Sequence, residues 1–137
     1  MKNKKTIIAT QKAPQVVGPY SQGISCGDLV FLSGQIPTDP ATNALIPGGI
    51  KEQTEQTLKN LGAVLSAVGL IYQDIMKTTV YMKDLAGFTE MNEVYKRYFS
   101  SPYPARATVQ AAALPKDALI EIEAIAMRRE SRGGVPY

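Results

Sequence analysis

The stretch YPARATVQAAALPKDALIEIEAIAM, residues 103–127, decides the fold. It parses as two extended segments, 106–111 and 118–127, joined by a loop around Leu114-Pro115-Lys116-Asp117, where proline and aspartate favour a turn over a continued strand. The expectation is a hairpin. Side chains alternate along a strand, so Ala118, Ile120, Ile122, Ala124 and Ala126 share an apolar face, while Leu119, Glu121, Glu123, Ile125 and Met127 share the other. A register that lines Ala107, Val109 and Ala111 up with the apolar face keeps the core dry. It sets Arg106, Thr108 and Gln110 beside Glu121 and Glu123. That second face, half charged and half apolar, suits neither solvent nor a dry core, and another subunit is the cover it asks for. A guanidinium fork matches a carboxylate and a glutamate can orient or deprotonate water, so the pair points to a small-acid site. Simple neutralisation of Glu121 or Glu123 by Arg106 fits the same pattern.

Upstream, Pro102 and Pro104 end a helix and deliver the chain to Arg106. Asp84 caps that helix, which runs to about Phe99 with Leu85, Phe88, Met91, Val94, Tyr95, Tyr98 and Phe99 as its apolar stripe. Asn92 interrupts the stripe. Residues 75–83 alternate Met76, Thr78, Val80 and Met82 against Ile75, Lys77, Thr79, Tyr81 and Lys83, a strand whose even face should meet the helices. Residues 50–68 form a longer helix, with Ile50, Thr54, Thr57, Leu58, Leu61, Leu65 and Val68 recurring at three and four and Gly69 just past its end.

Toward the N-terminus, residues 37–49 form a loop, and 24–26 and 29–33 flank a tight turn at Gly27-Asp28. The second of these strands runs into Ser33-Gly34-Gln35, where a glycine either admits a ligand close to the backbone or relieves a bend. Residues 6–10 are a short first strand, and 12–23 an irregular segment carrying Tyr20, whose hydroxyl is either satisfied in packing or aimed into a cleft. The order β-β-β-α-β-α-β-β implies two helices on one face of a mixed sheet, an α+β two-layer sandwich.

With 137 residues, 45% hydrophobic and 20% charged, the chain suits one domain over 1–127, with 128–137 as a flexible tail. No apolar run approaches a membrane span, and a cytoplasmic location is the default. There is no histidine and a single cysteine, Cys26, so Ser-His and Cys-His nucleophiles, an intrachain disulfide and a cysteine metal cluster are all excluded. The formal charge of +3 belongs to the ends: residues 6–127 hold nine Lys/Arg against eleven Asp/Glu, a net of −2. That distribution argues against nucleic acid as a partner.

Several blocks in order resemble the RidA/YjgF family of reactive imine deaminases: Gly18-Pro19-Tyr20-Ser21-Gln22, Ser33-Gly34-Gln35-Ile36-Pro37, Lys77-Thr78-Thr79-Val80, Met91-Asn92-Glu93-Val94-Tyr95, Pro104-Ala105-Arg106, Leu114-Pro115-Lys116-Asp117 and Ile120-Glu121-Ile122-Glu123-Ala124. The likeness spans nearly all of residues 6–128. It implies a chorismate-mutase-like fold, assembled as a homotrimer with a central β-barrel and three sites in the clefts between subunits. It also implies hydrolysis of 2-aminoacrylate and 2-iminobutyrate to 2-oxo acids and ammonia, without metal or cofactor. By the same resemblance Arg106 would hold the substrate carboxylate, Glu121 would activate water, Tyr20 would hydrogen-bond water or the leaving nitrogen, and Gly34, Thr108 and Asn92 would complete the pocket.

One position departs from the pattern: many bacterial members carry cysteine where this chain has Thr108, so thiol chemistry there is not available. Glu123, two residues along the same strand face, is expected to raise the pKa of Glu121 by like-charge repulsion. Two other functions compete, an RNA-directed ribonuclease or translation inhibitor, described for some relatives, and a non-catalytic trimer that binds 2-oxo acids.

Overall fold

The computed structural model describes residues 4–129. Six strands form one sheet: β1 (Thr6–Ile8), β2 (Gly23–Cys26), β3 (Leu29–Gln35), β4 (Ile75–Met82), β5 (Ala105–Gln110) and β6 (Ile120–Met127). Two helices, α1 (Ile50–Ser66) and α2 (Phe88–Tyr95), complete the α+β fold. The spatial order is β1-β2-β3-β6-β4-β5. All neighbours are antiparallel except β4 and β5, which run parallel, so the sheet is mixed.

The hairpin between 106–111 and 118–127 does not form. β6 lies between β3 and β4, and β5 sits beyond β4 at the sheet edge. Parallel strands need a crossover, and α2 supplies it, carrying the chain from the end of β4 back to the start of β5. The connection from β5 to β6 therefore has to pass β4. It does so through a turn at Pro115–Asp117 in which Lys116 (φ 55°) and Asp117 (φ 60°) both adopt the left-handed conformation.

The face assignment of β5 reverses with it. Arg106 pairs with Thr78, which pairs with Ala124, and Thr108 pairs with Val80, which pairs with Ile122. Residues in one cross-strand row share a face, so Arg106, Thr108 and Gln110 lie on the helix side, while Ala107 and Val109 lie with Glu123 and Glu121 on the open side. The alternation expected for β6 does hold: Ile120, Ile122, Ala124 and Ala126 are buried.

α1 presents Leu58, Leu61, Val64 and Leu65 to that buried face. Its stripe also buries two amides for specific partners. Asn60 donates to the carbonyls of Ile36 and Thr38 at 3.1 and 2.9 Å, and Gln53 accepts from the Leu119 amide at 2.9 Å, which ties the connecting loops to the helix. The tight turn at Gly27-Asp28 forms as expected, with Cys26 opposite Leu29 and Gly27 at φ 60°.

Two further elements differ from expectation. The helix expected from Asp84 to Phe99 is a 3-10 turn, Leu85–Gly87, followed by the eight-residue α2. Asp84 does act as a cap, accepting from the Ala86 amide at 2.9 Å. In β4 a register shift between Ile75 and Lys77 turns Ile75 into the core and leaves Met76 55% exposed, reversing the face expected for those two residues.

Arg128 and Arg129, grouped with the tail, are anchored. The Arg128 amide donates to Asp28 O at 2.8 Å, its guanidinium donates to Val68 O at 3.2 Å, and Arg129 pairs with the buried Asp74 at 2.9 Å. The remainder of the tail expectation lies outside the described residues.

Candidate active site

α2 and the β5 edge build one half of the site around Arg106. The guanidinium donates to Asn92 Oδ1 at 2.8 Å and lies over two rings, 4.7 Å from the centroid of Tyr95 and 5.5 Å from that of Phe88. Tyr95 is itself fixed, because its hydroxyl shares a 2.7 Å hydrogen bond with the buried Thr78. Burial pushes the Tyr95 hydroxyl pKa up, against the opposing hydrogen bond with Thr78 and the charge of Arg106. The arginine lines a cleft of about 510 Å³ with Asn92, Tyr95, Lys96, Tyr103 and Pro104. A guanidinium stacked on one face and tethered through one nitrogen keeps further donors for a carboxylate. Thr108 is half-buried two residues along the same strand face.

The second half lies on the other face of the sheet. Glu121 is half-buried against Gly34, and a Cβ built on Gly34 would overlap the Glu121 carboxylate, with the carboxyl carbon at 2.9 Å. The glycine therefore serves close approach by a side chain of its own fold. It falls where β3 and β6 lose register between Leu32 and Gln35. Desolvation raises the pKa of Glu121, and the neighbouring Glu123 adds to the shift. The like-charge effect is thus present but second to burial.

Tyr81, opposite Glu121 on β4, donates its hydroxyl to Glu123 Oε1 at 2.5 Å. Gly34, Tyr81, Leu114, Pro115 and the two glutamates line a cleft of about 340 Å³. A smaller cleft of about 210 Å³, which Gly34 also lines, holds Tyr20, Gln22 and Gln35 in its wall. Gln22 holds that wall by donating to the carbonyls of Thr10 and Pro14 at 3.0 and 2.8 Å.

Of the six residues singled out in the sequence, the structure brings Arg106 to Asn92 and Glu121 to Gly34, sets Tyr20 in a cleft that Gly34 also lines, and leaves Thr108 near Arg106. It does not bring Arg106 to Glu121. The two stand two strands apart and three residues out of step, on opposite faces, roughly 14 Å between Cα atoms. One small acid cannot touch both within a chain. Tyr81 and Tyr95 escaped the sequence reading because their roles depend on β4 lying between β5 and β6. Among the described residues no three His, Cys, Asp or Glu side chains converge on a point that could hold a metal.

The family model described as endoribonuclease L-PSP matches residues 10–128. A human protein named 2-iminobutanoate/2-iminopropanoate deaminase is 46% identical over 124 residues, covering 90% of each chain. The crystal structure of RidA from the Antarctic bacterium Psychrobacter superposes with a TM-score of 0.86 at 45% identity, over 90% of this chain and 99% of that one. Escherichia coli TdcF, crystallised with bound serine, superposes at 0.85 with 47% identity, over 90% and 99%. Matches of this extent, on a chain with this mixed six-stranded sheet and two helices, make it a member of the RidA/YjgF family.

Proposed function

We propose that the protein is a deaminase of reactive 2-imino and enamine acids, converting 2-aminoacrylate and 2-iminobutyrate to 2-oxo acids and ammonia. The observation that carries this reading is the state of Glu121: a half-buried carboxyl with a raised pKa, standing over Gly34 at the floor of a cleft. A carboxyl raised above its ordinary pKa is a stronger base than a free one, suited to take a proton from water and return it. The name of the human relative and the serine bound to TdcF agree with a small amino-acid-derived ligand.

The reaction asks little of the protein. A protonated imine carbon is already electrophilic, so holding the acid and placing one water supplies most of the advantage. Arg106 binds the substrate carboxylate. Glu121 accepts a proton as the water oxygen bonds to the imine carbon and returns it to nitrogen; as the carbon–nitrogen bond breaks, the new hydroxyl gives its remaining proton to Glu121 and becomes the carbonyl, releasing ammonia and the 2-oxo acid. Tyr20 donates to water or to the departing nitrogen, and the backbone at Gly34 and Thr108 completes the pocket. No step in this route uses a metal or a cofactor.

Since Arg106 and Glu121 face apart in one chain, the working site forms between copies, Arg106 from one and Glu121 from the next. Two features support such an assembly, which we take to be a homotrimer closed around a barrel of sheets. Among the described residues, β5 has an unpaired outer edge. The open sheet face also exposes Leu29, Phe31, Val109 and Met127, each at 42–43%, apolar surface that a neighbouring copy would cover.

The test couples threonine dehydratase to the protein and follows 2-oxobutyrate release. Wild type should accelerate release, and Arg106→Ala and Glu121→Gln should abolish the acceleration. Binding of the oxo acid without turnover would identify a carrier of small carboxylates instead.

A further inference from the structure

Glu121 shares its cleft with a second carboxylate, and two such groups on one strand face ordinarily compete for a single proton. Glu121 and Glu123 are two residues apart on β6, about 7 Å between Cα atoms. What distinguishes their surroundings is Tyr81. Its register position on β4 is opposite Glu121, yet its hydroxyl reaches diagonally and donates to Glu123 Oε1 at 2.5 Å. The diagonal pair leaves Glu121 with Gly34 on one side and the open cleft on the other.

We propose that Tyr81 is a positioning residue for Glu121, holding Glu123 as a charged acceptor so that Glu121 is the member of the pair that exchanges protons in the cleft. This rests on the deaminase reading for its consequence in turnover, but not for its physical content. A tyrosine hydroxyl has one proton to give. Given to Glu123, it fixes that side chain against β4, and the charge held at that place then works on Glu121. The raised Tyr81 pKa agrees, its largest cause being the same hydrogen bond. So does the contribution of Glu123 to the raised pKa of Glu121.

Within one chain, the other groups facing the pair do not supply an alternative donor. Lys77 shares a shallow cleft with Glu123 further along β4, and among the described residues no ion pair joins the two. Lys83 and Asp117, beyond Tyr81, are paired with each other at 2.7 Å. β3 presents Gly34 and Gln35, and residues 111–115 carry no ionisable side chain.

Without the hydroxyl, the Glu123 side chain loses its tether to β4 and can swing away from Glu121. Glu121 then loses part of the neighbouring charge and stays ionised to lower pH. Tyr81→Phe and Glu123→Gln should therefore move the acid limb of the kcat profile in the same direction, to lower pH, and Tyr81→Phe should add nothing in the Glu123→Gln background. The same ordering should appear in carbon-13 titration of the Glu121 carboxyl by NMR, assigned through Glu121→Gln. Phenylalanine keeps the ring in its half-buried place, so folding is expected to survive. A Tyr81→Phe titration that coincides with wild type, or a Tyr81→Phe shift that persists undiminished in the Glu123→Gln background, overturns the proposal. If the NMR ordering holds while wild type fails to accelerate imine hydrolysis, the positioning role stands and the deaminase reading falls.

Discussion

Asn92 accepts a hydrogen bond at 2.8 Å from a guanidinium that is already stacked over Tyr95, so Arg106 is oriented from the side as well as from below. An exposed arginine on an edge strand would otherwise sample many rotamers, at a cost repaid each time it bound. Losing the amide removes one charge-assisted hydrogen bond, so Asn92→Ala should raise KM roughly 5- to 30-fold with kcat little changed. Arg106→Ala, which removes the proposed carboxylate partner itself, should lower kcat/KM by about 100-fold or more. Steady-state kinetics on 2-iminobutyrate generated in place checks both, and equal losses in the two variants would count against an orienting role for Asn92.

Arg106 and Glu121 point to opposite faces of one sheet, which makes complementation possible. Arg106→Ala chains retain the glutamate and Glu121→Gln chains retain the arginine. If each site takes one group from each of two neighbours in a ring, a mixed trimer always contains one intact site. Equal amounts of the two variants, unfolded together and refolded, should recover about a quarter of wild-type activity, whereas each alone stays inactive. No recovery on mixing would mean that the two groups do not act in one site.

The parts of the fold set by strong periodicity were legible in the sequence. Leu58, Leu61 and Leu65 on α1 and Ile120, Ile122 and Ala124 on β6 carry full apolar faces, and both elements form where the pattern puts them. β5 was legible as a strand but not in its pairing or its facing, because Ala105–Gln110 has no apolar face to choose with; five of its six residues are exposed. Adjacency in sequence then suggested a hairpin, while the actual arrangement is set by a helix crossover and by two left-handed residues, Lys116 and Asp117, that no period reveals. The candidate site residues were named through family likeness, but their grouping was not. Which face Arg106 occupies depends on its pairing with Thr78, a tertiary fact.

Gly34 tests how closely the fold accommodates Glu121. A methyl group at that position meets the carboxylate, so Gly34→Ala must displace Glu121 or the bulged end of β3. Overpacking of this kind costs about 1–3 kcal/mol. Thermal or urea unfolding should show that loss together with a fall in activity. Combining Gly34→Ala with Glu121→Ala should restore most of the stability, since the two side chains then no longer collide. A double variant as unstable as the sum of its parts would place the strain in the backbone instead.

Tyr72 gives a prediction about stability at high pH that is independent of the site. Its hydroxyl donates to Leu58 O at 2.8 Å, and burial, with a smaller contribution from Tyr98, pushes its pKa up to about 12. Tyr98, in edge contact with it at 5.3 Å, is also raised to about 12, first by burial and then by Glu55. A folded pKa above the unfolded value of 10 means that the neutral ring is favoured by folding. Its stabilisation is complete below pH 10 and is lost as the pH rises through about 12. Urea midpoints should therefore fall across that window. Tyr72→Phe, about 1 kcal/mol less stable at pH 7 for want of the Leu58 hydrogen bond, should show a shallower fall, with the residual slope carried by Tyr98, Tyr95 and Tyr81, whose hydroxyls are also raised. Parallel curves for wild type and Tyr72→Phe between pH 10 and about 12 would show that ionisation of Tyr72 is not linked to unfolding.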